Sequence, residues 1–409
     1  MFFAKLGSSF GVLLILVHLA DGFKNQTTAR FLVEEEDALL TVPQLIRKYG
    51  YQVQEHQVET PDGYLLGMYR IIPRRPSRKH PVFMMHSLFS SCSDWVLIGR
   101  QHGLAYLLSN LGYDVWMGNA RGTRYSRKHK LLSTKNPTFW DFSFHEIGFY
   151  DVTSLIDYVL DQTAASKLHY VGFSQGAMTA FVALSSRPEY NDKIIQLHAL
   201  SPAVYMYRSL SSFLRLLSVS YRQLAQVFIK AGQYEILPNF EQQYFLFRWL
   251  CPAPAQTLCR SVIYDIVGAN PDQLDARMLR IFFGHFPAGA SLKQVGHYAQ
   301  IIRDGLFRQV DYEDPVLNRA AYGGYGEVPR YNLSQVTAPV RTYFGYNDNT
   351  VNYLNVLQLE QEVPNVIGSY PVPDKRFSHV DFILANSVRE VLYEEIVRNI
   401  EDSDGRSYS

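Results

Sequence analysis

Between residues 52 and 72 two β-rich runs flank Pro61-Asp62-Gly63, and the pattern predicts a hairpin closed by a turn. The short apolar run HPVFMMHSL (80–88) predicts a buried strand that ends in a loop. GLAYLLSNLG (103–112) has helical spacing and a glycine stop, and YDVWMGN (113–119) is the next strand. FYDVTSLIDYVLDQT (149–163) is amphipathic at the helical period. KLHYVGF (167–173) predicts a strand, QGAMTAFVALSSRPEY (175–190) a helix and IIQLHALSPAV (194–204) another strand. Strand–helix–strand alternation of this kind implies a mostly parallel sheet with helices on both faces.

From about 205 to 330 the alternation fails. Residues 211–232 are helical and amphipathic, 240–259 are aromatic and broken by prolines, and 274–307 are helical with a loop at Pro287–Gly289. Sheet character returns at VRTYFG (340–345) and IGSYPVP (367–373), and one last helix is predicted near 379–400. The chain therefore reads as a leader at 1–22, an α/β core at 23–204, a helical insert at 205–330 and the rest of the core at 331–409. An insert over the carboxyl ends of the strands lies where a cap belongs, because ligands bind along that edge.

The leader reading comes from Lys5 followed by FGVLLILVHLA (10–20) and the small residues Ala20 and Gly22. That run is about half of the roughly 20 apolar residues a spanning helix needs. Entry into the secretory pathway makes Asn25 and Asn332, each in an Asn-x-Ser/Thr sequon, glycosylation candidates. It also makes Cys251 and Cys259 a candidate disulfide across a proline-containing loop, with Cys92 left as a small packed residue. Net charge is +1, from 39 basic and 38 acidic side chains, which argues against a nucleic-acid partner. The short basic run at 121–130 reads as a solvated loop or as arginines paired with nearby acids.

The chemistry centres on VGFSQGA (171–177), in which G-x-S-x-G falls where an apolar strand gives way directly to a helix. That is the nucleophile-elbow setting of the α/β-hydrolase fold. A serine hydroxyl needs a base to take its proton, and the base needs an orienting acid. In this fold the order is Ser, acid, His. Asp348, just past the strand VRTYFG, and His379, at the start of the last helix, satisfy it with Ser174. Asp374 and Asp381 are nearer His379 in sequence but share its loop, and His285 and His297 lie in the insert. Two backbone donors must hold the oxyanion. Gln175 N–H follows the nucleophile, and Leu88 N–H comes from the loop after HPVFMMHSL. No histidine has the spacing of a zinc site, no loop has the spacing of a phosphate cradle, and no cofactor is called for.

These blocks, together with GYDVWMGNARGTRYSRKH, FWDFSFHEIGFYDV, HFPAGAS, RYNLSQVTAPV, YNDNTVN and HVDFILA, resemble the animal acid lipases, gastric and lysosomal, over roughly residues 42–400. The resemblance implies a hydrolase core with a helical cap and a lid near 236–266. It also implies a Ser174–Asp348–His379 triad with Leu88 and Gln175 as oxyanion donors. Two positions depart from the family pattern: Ser87 stands where glycine is usual, and Phe173 where histidine is usual. The first could strain or narrow the oxyanion loop.

The function this predicts is a secreted or lysosomal serine lipase acting on triacylglycerols or sterol esters. It would be a monomer that meets lipid peripherally at a lipid–water surface, for which the aromatic FEQQYFLFRWL (240–250) is suited. A carboxylesterase for shorter esters keeps the same chemistry, and a lipid carrier keeps only the fold.

Overall fold

The computed structural model describes residues 36–73, 79–239, 256–274 and 276–405, apart from the side chains of 256–260 and 276. The leader, Asn25, the side chains of Cys251 and Cys259 and the whole aromatic 240–250 stretch lie outside the described residues.

Eleven strands are described: β1 (Val53–Glu59), β2 (Tyr64–Ile71), β3 (Val82–Met85), β4 (Val115–Gly118), β5 (Lys128–His129), β6 (Leu168–Phe173), β7 (Ile194–Leu200), β8 (Glu235–Ile236), β9 (Ala290–Ser291), β10 (Val340–Phe344) and β11 (Val366–Pro371). Nine form one sheet in the order β1-β2-β4-β3-β6-β7-β10-β11, with β5 pairing to β2. The β1–β2 hairpin and the β2–β4 pair are antiparallel, and every neighbour from β4 to β11 is parallel. β8 and β9 form a separate two-stranded ladder that the apolar pattern does not reveal.

Successive side chains of a strand point to opposite faces, and the central strands use both faces for burial. Phe83 and Met85 of β3 join one core while Val82 and Met84 join the other; Trp116 of β4 opposes Val115 and Met117 in the same way. The helices Thr153–Thr163 and Gln175–Ser186 fill the first core with Leu155, Val159, Met178 and Phe181. The helices Leu104–Asn110 and Glu394–Ser403 fill the second with Leu104, Leu108, Ile396 and Ile400. Each fully buried side chain of this size contributes about 1.5–3 kcal/mol, so the continuous apolar runs of β3, β4 and β6 have a direct cause.

Between β7 and β10 the described residues hold helices Ser212–Lys230, Gln256–Val267, Ala276–His285, Leu292–Asp304 and Pro315–Tyr322. The expected single last helix is instead broken. Asp381–Leu384 is a short helix, and helical structure resumes only at Arg389. The break is held from outside: Gln273 accepts hydrogen bonds from Asn386 N–H through its carbonyl, and from Ser387 N–H and Oγ through its side chain. Within the basic run three cations are paired. Arg121 is buried between Asp62 and Asp151, Arg127 meets Glu235, and Lys130 meets Glu59.

At the amino-terminal end of the sheet Asp404 fastens the last helix. Its carboxylate accepts from His80 Nδ1 at 2.8 Å, His169 Nε2 at 3.2 Å and Tyr113 Oη at 3.2 Å. Burial raises the Asp404 pKa, but the bonds from His169 and His80 outweigh it and hold the carboxyl down at about 2. A depressed carboxyl adds stability above its unfolded pKa, lost as pH falls toward the folded value. Asp404→Asn is therefore expected to cost about 1.5 kcal/mol at neutral pH, with the difference from wild type shrinking between about pH 4 and pH 2. Thermal melts of both proteins across that range measure it.

Candidate active site

Ser174 stands between β6 and the helix Gln175–Ser186 with φ 52° and ψ −108°. This left-handed backbone costs a residue with a Cβ about 1–3 kcal/mol, and the surroundings enforce it. A Cβ on Gly172 would lie 2.5 Å from Ala177 N, and one on Gly176 would lie 2.1 Å from Met85 O. Both glycines thus let the strand, the helix and the end of β3 come together. Ser174 N–H donates to Leu200 O at 2.8 Å, which fixes the turn against β7.

The other candidates follow from sheet order. β6, β7, β10 and β11 are neighbours, and Ser174, Ser201, Asp348 and His379 each follow one of them at its carboxyl end. The structure brings together the three residues expected from sequence. His379 Nε2 is 3.0 Å from Ser174 Oγ, and His379 Nδ1 is 2.7 Å from Asp348 Oδ2. With Nδ1–H donated to the carboxylate, the Nε2 lone pair faces the serine hydroxyl. All three side chains are buried. Asp348 Oδ1 accepts from Thr350 N–H at 2.9 Å and Val351 N–H at 2.8 Å, so the carboxylate is held by its own loop.

Asp374 and Asp381 are occupied elsewhere. Asp381 accepts from Ser378 N–H and Asn270 Nδ2, and Asp374 from Asn270 Nδ2 and Arg376 N–H. His285 and His297 are buried and bonded to the carbonyls of Asp37 and Arg308. The segment 264–273 also straps the acid loop to the histidine loop. Val267 O accepts from His379 N–H at 2.8 Å, and Asn349 Nδ2 donates to the carbonyls of Tyr264 and Asp265. Gly268 has φ 99°, and a Cβ there would lie 1.9 Å from Asn347 O.

Leu88 is half-buried in the turn after β3, and its N–H, like that of Gln175, donates no hydrogen bond among the described residues. Two buried groups fix this loop. His86 is pushed down to about 4 by burial, so it is neutral; its Nε2 accepts from Ala120 N–H at 3.0 Å and its Nδ1 donates to Ser87 O at 2.7 Å. Asp94 accepts from Ser87 N–H at 3.0 Å and Ser87 Oγ at 2.9 Å on one oxygen, and from Ser90 Oγ on the other. Burial raises the Asp94 pKa to about 6, against the lowering effect of these bonds. Ser87 itself has no positive φ, so the serine brings no left-handed strain and instead gains a partner for its hydroxyl. Phe173 lies 5.0 Å from the His379 ring and 5.7 Å from Phe382, packing the imidazole without bonding to it.

On the insert side, Gln175 Oε1 accepts from Gln294 Nε2 and from Tyr298 Oη at 3.1 Å, linking the elbow to the helix Leu292–Asp304. A groove of about 830 Å³ between that helix, Ser212–Lys230 and the loop near Trp140 contains none of Ser174, Asp348 and His379. The one group of potential metal ligands among the described residues, His80, His169 and Asp404, stands at the other end of the strands. Sequence reasoning missed Asp94, Ser201 and Gly268. Only Gly268 carries any local signal, as a glycine after a helix; Asp94 bonds to Ser87 and Ser90 in its own loop, a contact with no sequence pattern, and Ser201 acts through residues distant in sequence.

Comparison with known proteins bears on the fold and the family. Models of a partial alpha/beta-hydrolase lipase region and of the alpha/beta hydrolase fold match residues 42–99 and 81–245. Lipase 1 of Drosophila melanogaster is 41% identical over 367 residues, covering 89% of this chain and 80% of that protein. Gastric triacylglycerol lipase of Bos taurus is 32% identical over 372 residues, covering 90% and 92%. A soluble variant of monoglyceride lipase from Saccharomyces cerevisiae, solved with a substrate analogue, shares the fold at a TM-score of 0.53 and 14% identity, over 88% of this chain and 99% of that one. At this identity over most of both lengths, the chain belongs to the animal acid lipase family and is a lipase of the α/β-hydrolase fold.

Proposed function

We propose that this lipase enters the secretory pathway, for secretion or the lysosome, and cleaves triacylglycerols or sterol esters through an acyl-enzyme on Ser174. The observation that supports it best is the continuous relay Ser174 Oγ–His379 Nε2 and His379 Nδ1–Asp348 Oδ2 at 3.0 and 2.7 Å. His379 takes the Ser174 proton as Oγ attacks the ester carbonyl, and Asp348 holds the ring and stabilises the imidazolium. The N–H groups of Leu88 and Gln175 receive the negative oxygen of the tetrahedral intermediate. His379 then gives its proton to the leaving alcohol. A water that it deprotonates releases the fatty acid.

In this reading residues 205–330 form the cap, with the lid near 236–266. The link from Gln175 to Gln294 and Tyr298 favours a cap seated against the nucleophile turn. No described helix is long and apolar enough to cross a membrane, and contact with lipid would be peripheral. Asn332 is exposed at the start of a short helical turn, as a glycosylated residue must be. The two gastric and insect relatives bear the name lipase, which favours long-chain esters over small soluble ones as substrates.

Wild-type protein is expected to release fatty acid from emulsified triolein and cholesteryl oleate, and Ser174→Ala to release none above background. Asp348→Asn should fold normally yet lose about 10⁴-fold in kcat, because the imidazole tautomer is no longer fixed. Hydrolysis of short esters alone by wild type would move the reading to a carboxylesterase. Separately, Asp94→Ala frees the loop that carries Leu88. It should lower kcat by up to about 10²–10³, the usual cost of one oxyanion donor, whereas Ser87→Gly keeps the Asp94 bond to the backbone and should stay within about ten-fold. Titration of active sites with steady-state rates separates lost turnover from lost protein.

A further inference from the structure

We infer that Ser201 is a positioning residue of the relay: its hydroxyl bridges the Asp348 carboxylate and the His379 imidazole and stabilises the charged pair they form during turnover. The inference rests on the reading of Ser174, Asp348 and His379 given above and adds a fourth side chain to it.

Ser201 Oγ donates to Asp348 Oδ2 at 2.6 Å, the same oxygen that receives His379 Nδ1 at 2.7 Å. The Ser201 oxygen is itself 3.2 Å from His379 Nδ1. Because its hydrogen is directed at the carboxylate, its lone pairs face the ring N–H. The hydroxyl dipole therefore lies with its positive end on Asp348 and its negative end on His379. That orientation favours imidazolium beside carboxylate over neutral imidazole beside carboxylate, in a buried site where such dipoles act strongly.

The backbone supports a dedicated placement. Ser201 is the first residue past β7, the strand between those that deliver Ser174 and Asp348. Its φ is 42°, a conformation in which glycine would be unstrained. Its N–H donates to Tyr343 O at 2.8 Å, which carries the β7–β10 pairing one residue further and fixes where the side chain emerges. Fully buried, the side chain has the relay as its hydrogen-bonding partners.

Other charged groups stand near. Asp94, beneath the Leu88 loop, is close enough for His379 to lower its carboxyl pKa, against the larger upward effect of burial. Asp374 and Asp381 belong to the histidine's own loop, and Asp265 lies on the strap beneath Asn349. Any pH readout must be separated from these, and above all from Asp94.

The test compares wild type, Ser201→Ala and Ser201→Gly for kcat, KM and the pH profile of kcat/KM on a soluble chromogenic ester, alongside melting curves. Both variants should lose about ten-fold or more in kcat, the scale of one hydrogen bond to a charged group, with KM little changed. The acid limb of kcat/KM should move to lower pH in both, because the imidazolium has lost a partner, and the same displacement should persist in an Asp94→Asn background. An acid limb and kcat within two-fold of wild type in both variants would overturn the inference. So would Ser201→Gly matching wild type while Ser201→Ala is impaired, since backbone conformation and not the hydroxyl would then matter. If Ser174→Ala retains wild-type turnover in the same assay, the relay reading itself fails and Ser201 falls with it.

Discussion

Nothing but hydrogen fits on the inner side of residue 176. A Cβ there would lie 2.1 Å from the carbonyl oxygen of Met85 and 2.9 Å from that of His86. This close approach brings the start of one helix against the end of β3, and so brings the Leu88 loop and the Ser174 turn to the same place. Gly172 allows the second contact that the turn requires, and the left-handed backbone of Ser174 follows from both. The cost of that conformation is spread over a sheet whose central strands are buried on both faces, which is why a turn this strained can persist.

From that point the site is assembled by sheet order. Four adjacent parallel strands end at one edge, and each passes one polar side chain into the same small volume. Ser174, Ser201, Asp348 and His379 are far apart in the chain, yet the order of their strands brings them to one edge of the sheet. Loops then refine their placement. Thr350 and Val351 N–H groups hold the carboxylate, the Val267 carbonyl holds the His379 backbone, and Phe173 packs the ring. Asp94 plays the matching part beneath the Leu88 loop, where the Ser87 hydroxyl becomes one of its three donors. The two departures from the family pattern are both accommodated: one by a hydrogen bond, the other by ring packing.

Much of this was legible in the sequence because it is local or periodic. The strands β3, β4, β6 and β7 are short apolar runs bounded by turn residues, and their alternation with amphipathic helices implies the parallel sheet. The elbow is legible because its glycines, serine and flanking elements are contiguous. Asp348 and His379 were found by order and by their places after strands. What stayed hidden leaves no pattern in the sequence. The break in the last helix is made by Gln273, more than a hundred residues upstream. Buried Asp94 and Ser201 look like any acid or serine near a turn, because burial and partners decide their roles. The pairing of β8 with β9 is too short to produce a pattern.

The central claim is that the Ser174 hydroxyl is the nucleophile and that His379 activates it. A serine-directed alkyl phosphonate, followed by peptide mapping, tests it most directly. The account predicts a single adduct on the peptide containing VGFSQGA, absent in Ser174→Ala and formed far more slowly in His379→Ala. An adduct on another serine, or labelling that persists unchanged in Ser174→Ala, would contradict it.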